Sequence, residues 1–157
     1  MNLSYSHLDT PVGRLLLVAD RTALKELRFP GKHSTIDPDW IRGSPLLQRA
    51  EAQLLAYFNG KRQTFDLPLA PEGTEFQRQV WEALRQIPYG STVAYSEIAQ
   101  AINRPRAVRA VGAANGKNPL PIVIPCHRVI GKSGSLTGFG GGLKTKQQLL
   151  DLEQSQK

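Results

Sequence analysis

Tyr95-Ser96-Glu97-Ile98-Ala99-Gln100-Ala101-Ile102, Asn103-Arg104-Pro105, and Arg106-Ala107-Val108-Arg109-Ala110-Val111-Gly112-Ala113-Ala114-Asn115 follow one another without a gap. The first run places Ile98, Ala99 and Ile102 on one face and predicts a short helix over 95–102. Asn-Arg-Pro reads as a tight break. The third run, dominated by Ala and Val, predicts a second helix over 106–115. Two short helices joined by three or four residues match the helix-turn-helix outline. Such a pair packs either on itself alone or against DNA. Arg104, Arg106 and Arg109 cluster here, and no acid occurs from Ala99 to Pro125, which favours a phosphate-facing surface.

Working outward toward the N-terminus, Thr74 with Gln77 three residues later forms a capping-box pattern, and Phe76, Val80, Trp81 and Leu84 line the helix that follows. Pro88-Tyr89-Gly90 closes it. Ala70-Pro71-Glu72-Gly73 reads as a boundary, dividing the chain into 1–70 and 71–157. Before it, Leu3–Leu8, Gly13–Ala19 and Leu24–Phe29 are strand-like, with turn signals at Asp9-Thr10-Pro11 and Asp20-Arg21. Gly31–Asp39 reads as a loop. A helix is expected over Pro45–Phe58, with Leu46, Leu47, Ala50, Leu54 and Tyr57 at helical spacing and Asn59-Gly60 at its end. Gln63–Leu69 reads as a last strand. The tail from Glu153 to Lys157 is expected to fray.

The length of 157 residues suits one ordinary domain or two small ones, and a chain of this size buries roughly 68–70% of its unfolded surface without needing a metal or disulfide. With 40% hydrophobic and 21% charged residues, the composition is globular. Apolar runs such as Leu15–Ala19 are far shorter than the ~20 residues of a membrane span. The first residues lack the pattern of a secretory signal. One cysteine, Cys126, excludes a disulfide framework. The expectation is a cytoplasmic protein in a reducing compartment, without membrane contact. The formal net charge is +7. Residues 1–70 hold nine Lys/Arg against seven Asp/Glu, and residues 71–157 eleven against six, so the second part carries +5. That balance suits a polyanionic partner, with solubility as the plainer alternative.

Ile122-Val123-Ile124 predicts a short buried strand, stopped by Pro125. Cys126 follows, beside His127 and Arg128. Positive neighbours lower a thiol pKa and favour the nucleophilic thiolate; an inert buried cysteine is the alternative. His127 is a candidate base for the thiol proton. Adjacent side chains on a strand point apart, so contact requires a turn at 125–127 or a bridging water. His7 and His33 read as ordinary strand and loop residues.

Pro125-Cys126-His127-Arg128-Val129, preceded by Asn118-Pro119-Leu120-Pro121-Ile122-Val123-Ile124, resembles the active-site signature of the O6-alkylguanine-DNA alkyltransferases. The resemblance runs from Thr74 to Glu153. It includes Arg106–Gly112 and Thr137-Gly138-Phe139-Gly140-Gly141-Gly142. The first third is similar only in pattern to the family's ribonuclease-H-like domain. The resemblance implies an α/β (α+β) fold: a small ribonuclease-H-like sheet-plus-helix domain, then a mostly helical DNA-binding domain. It implies single-turnover transfer of an alkyl group from O6-alkylguanine, and O4-alkylthymine, in flipped-out duplex DNA to Cys126. His127, oriented by Glu153, would take the thiol proton through a water. Tyr95 would press on a phosphate or protonate the departing guanine. Arg109 would fill the vacated stack, and Asn118 would brace the turn. The Cys126 and Val129 carbonyls would read the guanine amino group.

The resemblance further places Arg106, Ala107, Ala110, Gly112 and Asn115 at the DNA surface. Pro121, Val129, Thr137, Phe139 and Gly140 would form the alkylguanine pocket. No cofactor or metal is implied, and the protein is expected to act as a monomer. Phe139 stands where many members have Tyr, and Gly140 where Ser or Ala is common. The zinc-binding cysteines of some relatives have no counterpart in residues 1–70. Three other readings compete. A non-catalytic lesion binder would lack Cys126. A helix-turn-helix regulator would need base-reading side chains on its second helix. A Cys–His hydrolase would turn over many times.

Overall fold

The computed structural model describes residues 2–31, 35–131, 134, 139 and 141–156. Of the residues singled out above, His33, Thr137, Gly138, Gly140 and Lys157 lie outside them. The fold is mixed α/β, and the chain divides into two compact units, Met1–Glu72 and Gly73–Lys157. No helix among the described residues is long and apolar enough to cross a membrane.

The first unit is a four-stranded sheet with one helix. Strands β1 (Ser4–Thr10), β2 (Gly13–Ala19) and β3 (Leu24–Arg28) pair antiparallel in sequence, and β4 (Ile41–Arg42) joins β1 in parallel, giving the order β3-β2-β1-β4. Gly13 closes the first hairpin at φ +108, and a β-carbon there would stand 2.8 Å from the Pro30 ring, so only glycine fits. β2 is buried from Leu15 to Ala19 because it lies inside the sheet. Helix α1 (Pro45–Phe58) starts where Ser44 accepts the Leu47 N–H at 3.1 Å, with Pro45 in its first turn. It buries Leu47, Ala50, Leu54 and Tyr57 and packs on β1, β2 and β3.

The expected strand over Gln63–Leu69 does not form; only Leu69 bridges to Leu24. Pro68 lacks an N–H, and α1 takes the Asp66 backbone instead: Gln53 accepts the Asp66 N–H at 2.9 Å and donates to its carbonyl at 3.0 Å. The fourth strand comes from Ile41–Arg42, two residues too short to show a period-2 pattern.

The second unit is mainly helical. Thr74 and Gln77 close the expected capping box, at 3.1 and 2.9 Å, around helix α2 (Glu75–Leu84). Helices α3 (Tyr95–Ala101) and α4 (Val108–Gly116) form the helix-turn-helix. Asn103 ends α3 in the left-handed region at φ 62, its N–H bonding Gln100 O while that of Arg104 bonds Ala99 O. This is a Schellman motif, which Asn tolerates next best after Gly. Arg106 and Ala107 stay in the turn, so α4 starts two residues later than the sequence pattern suggests. Strands β5 (Val93–Ala94) and β6 (Val129–Ile130) pair in parallel. Helix α5 (Leu143–Ser155) runs through Glu153, so the tail is ordered past the point where fraying was expected. Leu149 and Glu153 on its inner face are buried, and that burial holds the end in place.

Candidate active site

The segment before Cys126 is a buried turn, not a strand. Pro121 and Ile124 form an isolated bridge, Ile122 adopts φ 75, and the Ile124 N–H bonds Leu120 O at 2.8 Å. Two prolines deprive the segment of ladder donors, and a β-branched residue at positive φ is strained. Pro125 then makes an inverse γ-turn (φ −80, ψ 64), with Cys126 N–H on Ile124 O at 2.7 Å. Cys126–Arg128 form one 3-10 turn, which leads into β6. This is the turn that contact between Cys126 and His127 requires. Asn118 braces the segment from within, donating to Ile124 O at 2.8 Å and accepting the Leu120 N–H at 2.9 Å.

Helix α5 brings Glu153 to this turn. His127 Nε2 and Glu153 Oε2 are 2.6 Å apart, both side chains buried. Arg128 grips the same carboxylate with Nε at 2.8 Å and Nη2 at 3.0 Å, donates to Ile87 O at 2.7 Å, and lies over the Tyr89 ring. The Gly90 N–H adds a donor at 3.3 Å. Burial alone would push the Glu153 carboxyl up, but hydrogen bonds and charge from His127 and Arg128 outweigh it and hold it down at about 2. Burial lowers His127 against the pull of Glu153. The imidazole is therefore neutral at neutral pH, with its proton on the nitrogen facing Glu153. Its other nitrogen, Nδ1, is buried with no hydrogen-bond partner among the described residues, which leaves it a basic lone pair.

Cys126 itself corrects the sequence expectation. Its thiol is buried, and burial pushes it up to about 11, against the opposing pull of the Asn118 side chain, the Lys146 charge and the backbone N–H groups of Cys126 and His127. Arg128 does not face the sulfur, because Glu153 holds it. At neutral pH the resting group is therefore the thiol, and a base must remove its proton before it can act as a nucleophile.

Asn115 is the second correction. It is 3% exposed, and Nδ2 donates to the Cys126 carbonyl at 3.4 Å, so it faces the Cys126 turn and not a DNA surface. Helical spacing explains this: Asn115 shares its face with the buried Val111 and Ala114, whereas Arg109, Ala110 and Ala113 are exposed on the other side with Arg106 in the preceding turn. Gly112 faces Tyr95; a β-carbon there would stand 3.9 Å from the Tyr95 ring. Tyr95 follows β5 directly, and the Ala94–Ile130 pairing brings it to the strand that leaves the Cys126 turn. Pro121 and Val129 are buried around that turn, and Phe139 is half-buried.

Lys146 is a site residue that sequence reasoning missed. It is fully buried on α5 and donates to Val129 O at 2.7 Å. Its seven-residue spacing from Glu153, with Leu149 between, puts all three on one helix face. A lysine in that pattern ordinarily reads as solvated.

Known proteins resemble this chain over nearly its whole length. Residues 75–155 match the family described as 6-O-methylguanine DNA methyltransferase, DNA binding domain, and residues 3–71 match its ribonuclease-like domain. A methylated-DNA–protein-cysteine methyltransferase of Methanosarcina barkeri is 51% identical over 153 residues, covering 96% of this chain and 97% of that protein. The protein of that name from Haemophilus influenzae is 46% identical, covering 96% and 86%. The crystal structure of Mycobacterium tuberculosis OGT in complex with DNA aligns with a TM-score of 0.90 at 47% identity, over 98% of this chain and 94% of that one. The chain belongs to the 6-O-methylguanine DNA methyltransferase family, and its enzyme class is methylated-DNA–protein-cysteine methyltransferase.

Proposed function

We propose that this protein removes the alkyl group from O6-alkylguanine, and from O4-alkylthymine, in duplex DNA in one irreversible transfer to Cys126. The observation that carries the reading is the single thiol placed on a turn beside a neutral, buried His127 whose Nε2 is tied to Glu153 and whose Nδ1 is open to accept a proton. The target nucleotide leaves the stack, at a cost of a few kcal/mol, and Arg109 from the exposed face of α4 fills its place. The thiol proton passes through a water to His127 Nδ1, and Glu153 stabilises the imidazolium. The thiolate then displaces guanine at the alkyl carbon. A carbon–sulfur bond forms, the carbon–O6 bond breaks, and its electron pair goes to O6. Tyr95 supplies the proton that O6 takes up, and the imidazolium and solvent restore it. The Cys126 and Val129 carbonyls accept the guanine amino group, beside Pro121 and Phe139. Asn118 holds the turn.

The thioether offers water no polarised carbonyl, so the acceptor is spent. Residues 71–157 act as the DNA-binding alkyltransferase domain, and 1–70 form a ribonuclease-H-like domain. The protein works as a monomer in the cytoplasm, drawn to DNA by the +5 balance of its second part. Incubation with an O6-methylguanine duplex is expected to consume one protein per lesion and to raise the Cys126 peptide by one methylene. Cys126→Ser is expected to keep the fold and lose transfer completely. Several lesions removed per protein, or an unmodified Cys126, would overturn the reading in favour of a hydrolase.

A further inference from the structure

Asn115 is a polar side chain in a place where an apolar one would pack at lower cost. Its Oδ1 is buried without a hydrogen-bond partner among the described residues, and an unmet buried acceptor destabilises a fold. Its Nδ2 donates to the Cys126 carbonyl at 3.4 Å. That carbonyl also accepts the Val129 N–H that closes the 3-10 turn, so it is held from two sides. The other end of the same peptide unit is the His127 N–H, which acts on the Cys126 sulfur in the direction that favours thiolate. The helix behind Asn115 is itself anchored, because Trp81 Nε1 donates to Ala114 O at 2.8 Å.

We infer that Asn115 is a positioning residue for the nucleophile: by donating to the Cys126 carbonyl it fixes the Cys126–His127 peptide plane with its N–H toward the sulfur. The contact also polarises the peptide, and a polarised amide is a stronger donor. The one charged group that acts on the sulfur among the described residues is Lys146 from α5, beside the Asn118 side chain and the turn's own N–H groups; His127, Glu153 and Arg128 are tied to one another, with Tyr89 against Arg128. The buried residues of α2 and α4 (Val80, Trp81, Leu84, Val111, Ala114 and Asn115) do not titrate. The sulfur thus depends on oriented neutral donors together with Lys146. The inference deepens the transfer reading, on which its catalytic meaning rests.

The test uses Asn115→Leu, close in volume, and Asn115→Ala, smaller. Cys126 is the one thiol, so its reaction with iodoacetamide, followed by intact mass against pH, titrates it alone. Both variants are expected to keep a cooperative thermal transition and to shift the reactivity profile upward by about one pH unit, a loss of about tenfold below the midpoint. Transfer from an O6-methylguanine duplex is expected to slow by a similar factor, the loss shrinking as pH rises. Profiles that superimpose on that of the wild type would overturn the inference. So would unfolding of both variants, which would make Asn115 a structural residue. The iodoacetamide profile judges Asn115 whether or not the duplex is a substrate, and the wild-type reaction with the duplex separately judges the transfer reading.

Discussion

Among the described residues, the first unit fills its interior with Leu8, Leu15, Leu17, Leu27, Leu47 and Leu54, and Ser4 is its one buried polar side chain. The second unit buries Asn115, His127, Arg128, Lys146 and Glu153 beside Trp81, Leu84 and Leu149. One ion pair or cluster from each unit shows the contrast. Arg14 and Asp9, 3.9 Å apart in the first unit, are 62% and 90% exposed, whereas the His127–Glu153–Arg128 cluster is almost entirely dry. A hydrophobic interior is the inexpensive way to fold a small unit. Buried charges add desolvation cost, and an apolar replacement of equal volume is often as stable or more so. Their concentration around Cys126 marks the second unit as the one shaped by chemistry.

The largest expected effect comes from removing the shared carboxylate. Glu153→Ala leaves Arg128 buried and unpaired and frees the His127 ring, and is expected to destabilise the second unit by about 3–5 kcal/mol. Chemical denaturation measures it; a change below about 1 kcal/mol would break the contrast between the units.

Acid sharpens the same contrast. The Glu153 pKa is depressed in the folded state, so its stabilisation is complete above the unfolded value near 4.5 and is lost as pH falls toward about 2. The His127 pKa is also lowered by folding, so the unfolded chain binds its proton first and stability declines as pH falls below 6.5. Both act in one direction. Hydrogen exchange is expected to show the second unit losing protection from pH 6.5 downward. Equal loss in both units would count against the buried cluster as the cause.

The smallest effect belongs to the exposed pair: Asp9→Ala is expected to change stability by no more than ~0.5 kcal/mol, read in the same denaturation experiment. A larger loss would mean that surface charge in the first unit matters more than its exposure suggests.

Local rules account for what was legible. Ser44-Pro45 and Thr74 with Gln77 announce α1 and α2 because a cap is a bond between neighbours in sequence. The helix-turn-helix was legible for the same reason, since Asn103 ends α3 by itself. Gln63–Leu69 misled because its strand-like pattern competes with the Gln53 side chain, a partner thirteen residues away from Asp66. Ile122–Ile124 misled because apolar content predicts burial and not backbone shape. The tail at Glu153 misled because nothing near it in sequence reveals Arg128 and His127.

By itself the sequence singled out Cys126 as the candidate nucleophile, its His127 neighbour, the basic helix pair and the family that these residues resemble. These are properties of composition, spacing and order along the chain. Only the tertiary structure decided that Asn115 faces Cys126, that Lys146 lies buried on the Val129 carbonyl, and that Arg128 serves Glu153 and not the thiol. It also decided the direction of the thiol pKa. A cation beside a cysteine in sequence lowers that pKa only if it stays beside the sulfur in space, and here burial and the α5 carboxylate take precedence over proximity along the chain.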